Sequence, residues 1–200
     1  MHRNTTAFIL AGGRSSRMGE DKAFLRLGRL TLLEHMIATA KGVCEAVVLI
    51  GDKQRLSPYG SVVQDTFPGH GPLAGIHAAL TSTACRELNL MLAVDTPALP
   101  AEFLDFLVSA AESSRASVTV PRVGGFTQSL CAVYRSEFAS HAARALEAGR
   151  NKIDRVFDEV PTTFIEPAQW KHLGFNDDIF DNVNTPEDWQ RMRQKLGATH

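Results

Sequence analysis

Up to about Val120, short apolar runs alternate with helical patterns, and this alternation constrains the fold more than any other feature. Thr6 to Leu10 reads as a strand that runs into two adjacent glycines. "TLLEHMIATAK" puts Leu32, Leu33, Met36, Ile37 and Ala40 on one helical face and stops before Gly42. "EAVVLIG" and "LNLMLAV" are almost continuously apolar, as strands covered on both faces are. Between them lie a short strand, Ser61 to Gln64, and a helix in "GPLAGIHAALTS" with Pro72 in its first turn. Pro100 opens the helix "PAEFLDFLVSAAE", and "ASVTV" is a further strand. Such alternation predicts an α/β fold, with a mostly parallel, Rossmann-like sheet between two helical layers.

The remainder is less regular. "SLCAVY" reads as a strand, "SEFASHAARALEAG" as a helix and "TTFIE" as a strand. "NTPEDWQRMRQKL" starts a helix with Thr185 as N-cap, Pro186 at the first position and Asp188 three residues after the cap. No repeat, low-complexity tract or linker divides the 200 residues, so one domain is expected. Hydrophobic residues make up 44% and the net charge is -1, which argues against nucleic acid or an anionic membrane as a partner. No apolar stretch approaches the roughly 18 to 20 residues of a membrane span. The N-terminus lacks the long apolar core of a signal peptide. Cys44, Cys85 and Cys131 are widely spaced and odd in number, so they suggest small buried residues in a reducing cytoplasm.

In parallel sheets ligands collect at the carboxyl ends of the strands. Here the first strand runs into "LAGGRSSRMGEDK", the third into Asp65 and "LNLMLAV" into Asp95. Glycines after a strand let a phosphate approach the backbone, and amides in such a turn form an anion-binding concavity. Arg17 and Lys22 add cations where the amides already favour an anion, unless both are merely solvated surface. The loop has neither P-loop nor G-x-G-x-x-G spacing. Asp95 either caps a helix begun around Pro97 to Pro100 or faces a ligand. Asp65 is a turn residue or a nucleotide contact. Asn182 and Asn184 serve the turn before Pro186 or a binding site. His70 and His77 have no carboxylate or cysteine at metal-ligand spacing.

"LAGGRSSRMGEDK" resembles the signature of nucleotidyltransferases that join a nucleoside triphosphate to a phosphorylated acceptor. With "GPLAGIHAAL", "LAVDTPALP" and "NVNTPEDW" in the same order, the whole chain resembles the molybdenum cofactor guanylyltransferases, the MobA family. The resemblance implies a nucleotide-diphospho-sugar transferase type of fold, with a nucleotide-binding part over about 1–120 and an acceptor-binding part over about 121–200. It implies transfer of GMP from GTP to the phosphate of molybdopterin, in its molybdate-bearing form, with release of pyrophosphate. Leu10, Ala11, Gly12 and Gly13 would supply backbone contacts to the nucleotide, and Asp65 a contact near base or ribose. Lys22 would hold the phosphates, Arg17 would stabilise the departing pyrophosphate, and Asp95 would bind Mg²⁺. Gln128, Lys152, Asn182 and Asn184 would face the acceptor. Transient contact with cofactor-carrying proteins or molybdoenzymes follows from the same resemblance.

Four residues, at three places in the chain, depart from the family pattern. Ile50 stands where many guanylyltransferases have an asparagine, Gln128 and Ser129 where a His-Pro pair is usual, and Lys152 where an arginine often faces the acceptor phosphate. Two other functions fit the same residues: a molybdopterin cytidylyltransferase or related nucleotidyl transferase, and a non-catalytic nucleotide-binding or cofactor-delivery protein. Joint retention of Arg17, Lys22 and Asp95 favours an enzyme.

Overall fold

The computed structural model describes residues 1–12, 21–67 and 69–197. Its first strand, β1 (His2–Leu10), is followed by a 3-10 turn (Lys22–Phe24) and a small hairpin of β2 (Arg26–Leu27) and β3 (Leu30–Thr31). α1 (Leu32–Lys41) starts at a capping box. The Glu34 amide donates to the Thr31 hydroxyl at 3.2 Å, and the Thr31 amide donates back to the Glu34 carboxylate at 2.8 Å. Next come β4 (Cys44–Ile50), α2 (Lys53–Leu56), β5 (Val62–Val63), α3 (Pro72–Thr81), β6 (Leu88–Ala93) and α4 (Ala101–Ser113). β7 (Val118–Val123) turns directly into β8 (Phe126–Thr127). β9 (Cys131–Tyr134), α5 (Phe138–Glu147), α6 (Ile153–Phe157), β10 (Thr162–Ile165), α7 (Ala168–Lys171) and α8 (Pro186–Gly197) follow.

The sheet runs β10-β7-β9-β6-β1-β4-β5, with β8 paired to β7. β5, β4, β1 and β6 are mutually parallel, while β9 runs against both β6 and β7. Side chains of β1 alternate between two cores. Ala7 and Ile9 pack with Leu33 and Met36 of α1 and Phe103 of α4. Phe8 and Leu10 pack with Leu73 and Ile76 of α3 and Phe138 of α5. Helices therefore cover both faces, and the architecture is the expected three-layer α/β/α.

β1 is longer at its start than the Thr6 to Leu10 reading, because the polar residues before Thr6 pair despite their composition. The His2 amide donates to Val43 O at 2.8 Å, and the register with β4 shifts between His2 and Thr6. Cys44 and Cys131 are buried as expected, and burial pushes the Cys44 thiol up to about 12. Cys85 is only half-buried, in the turn after α3. No helix among the described residues is long and apolar enough to cross a membrane.

Two features of the fold place the site. The central strands end flush: Leu10 is in register with Ile50 on one side and Ala93 on the other. The ladder continues one residue further, from the Ala11 amide to Ile50 O at 3.0 Å and from the Val94 amide to Leu10 O at 3.3 Å. The chain leaves β1 towards β4 and β5, then returns to the opposite side of β1 as β6. Strand order thus reverses between β1 and β6, which opens a crevice at their carboxyl ends.

The second feature is the anchoring of the C-terminal segment. Phe103 meets Trp170, Phe175 and Phe180 edge-to-face, with ring centroids 5.8, 5.5 and 5.2 Å away. Such pairs contribute about 0.5–1.5 kcal/mol each beyond area burial. They hold the segment before α8 against α4 and bring residues 182–184 back to the sheet. There the Val183 amide donates to the backbone carbonyl of Asp95 at 2.8 Å.

Candidate functional site

A cavity of about 530 Å³ opens at the crevice between β1 and β6. Its floor is the flush strand ends, Leu10 to Gly12, Ile50 and Gly51, and Ala93 to Asp95. Asp21 and Lys22 close one side, and Asp65 stands after β5. The start of α3 supplies the opposite wall through Gly71, Pro72 and Gly75, and Leu130 enters from the segment before β9. α3 has no side-chain N-cap, so its first-turn amides are not satisfied by a cap and favour a negative group.

Polar side chains converge on one edge of this cavity. Lys22 donates to Asp95 Oδ2 at 3.3 Å and to Asn184 Oδ1 at 2.6 Å. Side chains of both Lys22 and Asp95 are about one-fifth exposed, so the pair is shielded yet open to a ligand. Three distant segments meet here: the end of the glycine-rich loop, the end of β6 and the turn before α8. Asp95 caps no helix, since α4 begins after Pro100 without any side-chain cap. Asn184 does not cap α8 with its side chain either. Thr185 and Asp188 do that, with the Asp188 amide donating to Thr185 Oγ1 at 3.1 Å and the Thr185 amide to Asp188 Oδ2 at 2.9 Å. Bonds from the Asn184 and Thr185 amides and the Thr185 hydroxyl hold the Asp188 carboxyl below its ordinary value. Both site residues are therefore released from the local structural duties their sequence positions allowed.

Asp65 forms the turn open to it in the sequence and also lines the cavity. Its Oδ1 accepts the Phe67 amide at 2.8 Å, forming a turn, and its side chain lines the cavity. Phe67 packs edge-to-face on His77 of α3 at 5.3 Å, which fastens this loop to the helix. Burial lowers the His77 pKa, opposed by the charges of Asp65 and Glu147.

Leu10, Ala11, Gly12, Lys22, Asp65 and Asp95 thus line one cavity, and Asn184 joins them through Lys22. Arg17 and Gly13 lie outside the described residues. Asn182 is exposed two residues before Asn184, and Lys152 is exposed at the N-cap of α6. Gln128 is half-buried in the segment leading to Leu130. That segment is tied to α6, because Thr127 and Ser129 both donate to Asp154 Oδ1, at 2.6 and 2.8 Å. Gln128 and Lys152 are therefore mounted on one unit beside the cavity and not inside it.

Sequence reasoning missed Asp21 and Gly75. Asp21 accepts the Ala23 amide at 3.2 Å and is ion-paired with Arg55, whose guanidinium lies 5.6 Å from the Phe24 ring centroid. An Asp followed by a short apolar turn was the local signal, but its cation is far away in sequence. Gly75 was legible only as part of "GPLAGI". A Cβ there would come within 3.0 Å of Leu10 Cδ2 and 3.3 Å of Ile50 Cγ2. Gly75→Val is therefore expected to destabilise the protein by about 1–3 kcal/mol through overpacking. It should also push Leu10 and Ile50 into the cavity and weaken nucleotide binding, which urea unfolding and a GTP titration would check together.

Residues 7–163 match the family model of the MobA-like NTP transferase domain. The chain is 34% identical over 191 residues to a protein of Carboxydothermus hydrogenoformans named probable molybdenum cofactor guanylyltransferase, covering 95% of each. It is 30% identical to the molybdenum cofactor guanylyltransferase of Syntrophotalea carbinolica, covering 95% of this chain and 91% of that one. Its backbone resembles the crystal structure of molybdopterin-guanine dinucleotide biosynthesis protein A from Archaeoglobus fulgidus, with a TM-score of 0.85 and 23% identity over 98% of this chain and all of that one. With the cavity at the reversal of strand order and the matching motifs around it, these likenesses agree: the chain belongs to the MobA-like NTP transferase family.

Proposed function

We propose that this protein transfers GMP from GTP to the phosphate of molybdopterin, in its molybdate-bearing form, giving the guanine dinucleotide and pyrophosphate. The observation that carries this reading is the meeting of Lys22, Asp95 and Asn184 at one edge of a nucleotide-sized cavity. In such a reaction the acceptor's own phosphate oxygen attacks the α-phosphorus, and the bond from that phosphorus to the β-phosphate oxygen breaks. The protein needs no nucleophile of its own. Its work is to hold two anions that repel each other in line and to stabilise the charge that develops.

The first part of the chain, about 1–120, takes the nucleotide. Backbone groups of Leu10 to Gly13 and the side chain of Asp65 receive base and ribose, and the floor of Ile50 leaves base recognition to main-chain groups. Lys22 grips the phosphates and Arg17 the departing pyrophosphate. The second part, about 121–200, takes the acceptor through Gln128, Lys152, Asn182 and Asn184. Asn184 links the two parts by orienting Lys22.

The donor set fits Mg²⁺. Asp95 offers a hard carboxylate on the cavity wall, and Mg²⁺ takes one or two carboxylates, with phosphate oxygens and waters completing its shell. When bound, Mg²⁺ neutralises negative charge on the triphosphate and on pyrophosphate. Reduced thiols at Cys44, Cys85 and Cys131 suit a cytoplasmic setting, where a cofactor-carrying protein or a molybdoenzyme would meet the enzyme transiently.

Base preference distinguishes this reading from cytidylyl transfer. With Mg²⁺ present, GTP at about 100 times its dissociation constant is expected to stabilise the fold by roughly 2.7 kcal/mol. CTP, UTP and ATP at equal concentration should give less, as measured by thermal unfolding. A larger shift with CTP would replace GMP by CMP in the proposal.

A further inference from the structure

The β7–β8 hairpin presents an aromatic ring that the fold does not use. Phe126 is 75% exposed, although phenylalanine is among the residues most often buried. A lone exposed ring is commonplace, but this one has a rigid mount. Gly124 and Gly125 turn the chain with φ of 56° and 83°, the pair of positive values that a tight two-residue hairpin demands. At the base of the hairpin, Arg122 pairs with Thr127 in the ladder, stacks on the Phe164 ring at 3.7 Å and bonds Glu166 at 3.2 Å. Immediately after the ring, the hydroxyls of Thr127 and Ser129 hold Asp154, and the Gln128 amide donates to Pro121 O at 2.8 Å.

The location matters as much as the mount. β7 runs parallel to β6, so the hairpin leaves the sheet at the same rim as Asp95. Only β9 separates the two strands, a step of about 10 Å at roughly 4.8 Å per strand. Four residues beyond Phe126, Leu130 lines the nucleotide cavity. The hairpin therefore leaves the sheet at the rim that carries the site, on the far side of β6 from β1. An acceptor that reacts through a phosphate at one end and carries a flat heteroaromatic system at the other would span this step.

Resting on the proposed function, we infer that Phe126 is a substrate-contacting residue that stacks on the pterin ring of the acceptor. A preordered aromatic face loses little freedom on binding, and stacking on such a face is worth an order of magnitude or more in affinity. It would add acceptor affinity at a rim where Gln128 and Ser129 stand.

The test is steady-state pyrophosphate release with GTP, Mg²⁺ and molybdopterin, together with a direct titration of molybdopterin by its pterin fluorescence. Phe126→Ala should raise the acceptor KM and dissociation constant roughly tenfold, with kcat, GTP affinity and thermal midpoint near wild type. Phe126→Trp should restore acceptor binding, and Phe126→Leu should not. An alanine variant with unchanged acceptor affinity overturns the inference, as does one that loses GTP affinity equally. A wild-type protein that binds GTP but neither binds nor consumes molybdopterin overturns the proposed function itself.

Discussion

Asp95→Ala is expected to lower kcat for pyrophosphate release by about 10³-fold while leaving the fold intact. The substitution removes the carboxylate that would hold Mg²⁺, together with the partner of Lys22 at 3.3 Å. It keeps the backbone carbonyl that accepts the Val183 amide, so the joint between β6 and the C-terminal segment survives. Loss of this ion pair is expected to cost about 1 kcal/mol, because both side chains still reach solvent and Lys22 keeps its bond to Asn184. Thermal unfolding should therefore barely change while turnover collapses. Asp95→Asn, which keeps the shape without the charge, should be nearly as inactive. An asparagine variant with normal turnover would remove Asp95 from the mechanism.

The companion substitution, Lys22→Ala, should cost about 10²–10³ in kcat, the range seen when one charge-stabilising donor is lost. Its effect separates from that of Asp95 in the nucleotide titration. Lys22→Ala should also weaken GTP binding in the absence of Mg²⁺, because in the proposed role the ammonium would meet the phosphates directly. Asp95→Ala should leave metal-free binding unchanged or improve it, since a negative charge has been removed from an anion site. The two losses should not add: each group orients the other, so the double variant should fall only slightly below Asp95→Ala. Additive losses would mean that the 3.3 Å contact has no part in catalysis.

Elements buried on both faces were easy to read. "EAVVLIG" and "LNLMLAV" became the parallel β4 and β6, and "NTPEDW" became a helix start with its Thr185 and Asp188 cap in place. The direction of "SLCAVY" was not readable. A central strand flanked on both sides shows the same apolar run whether it lies parallel or antiparallel, and only the pairing with Asn89 to Leu92 and with Val118 to Thr119 reveals β9 as reversed. The 3-10 turn at Lys22 and the short helices α2 and α6 carry too few residues for a helical period to emerge.

The site was legible where chemistry sits in a motif, at Lys22, Asp65 and Asp95, which line one cavity. The sequence left open whether Asp95 and Asn184 cap helices, and the geometry answers by pairing both with Lys22. Arg55 could not be assigned to Asp21 because that contact joins separate elements across the fold. Phe126 lies between the runs "ASVTV" and "SLCAVY" and belongs to neither. Its exposure follows from the tight turn before it, which lifts it off both cores.

The Val183–Asp95 hydrogen bond couples parts of the chain that a sequence treats as independent. It stitches the segment before α8 to the end of β6 through main-chain atoms, so side-chain substitutions that keep the Val183 N–H leave it in place, whereas Val183→Pro would remove the donor. The segment before α8 and the residue at the end of β6 are therefore held at a fixed separation whatever other side chains they carry.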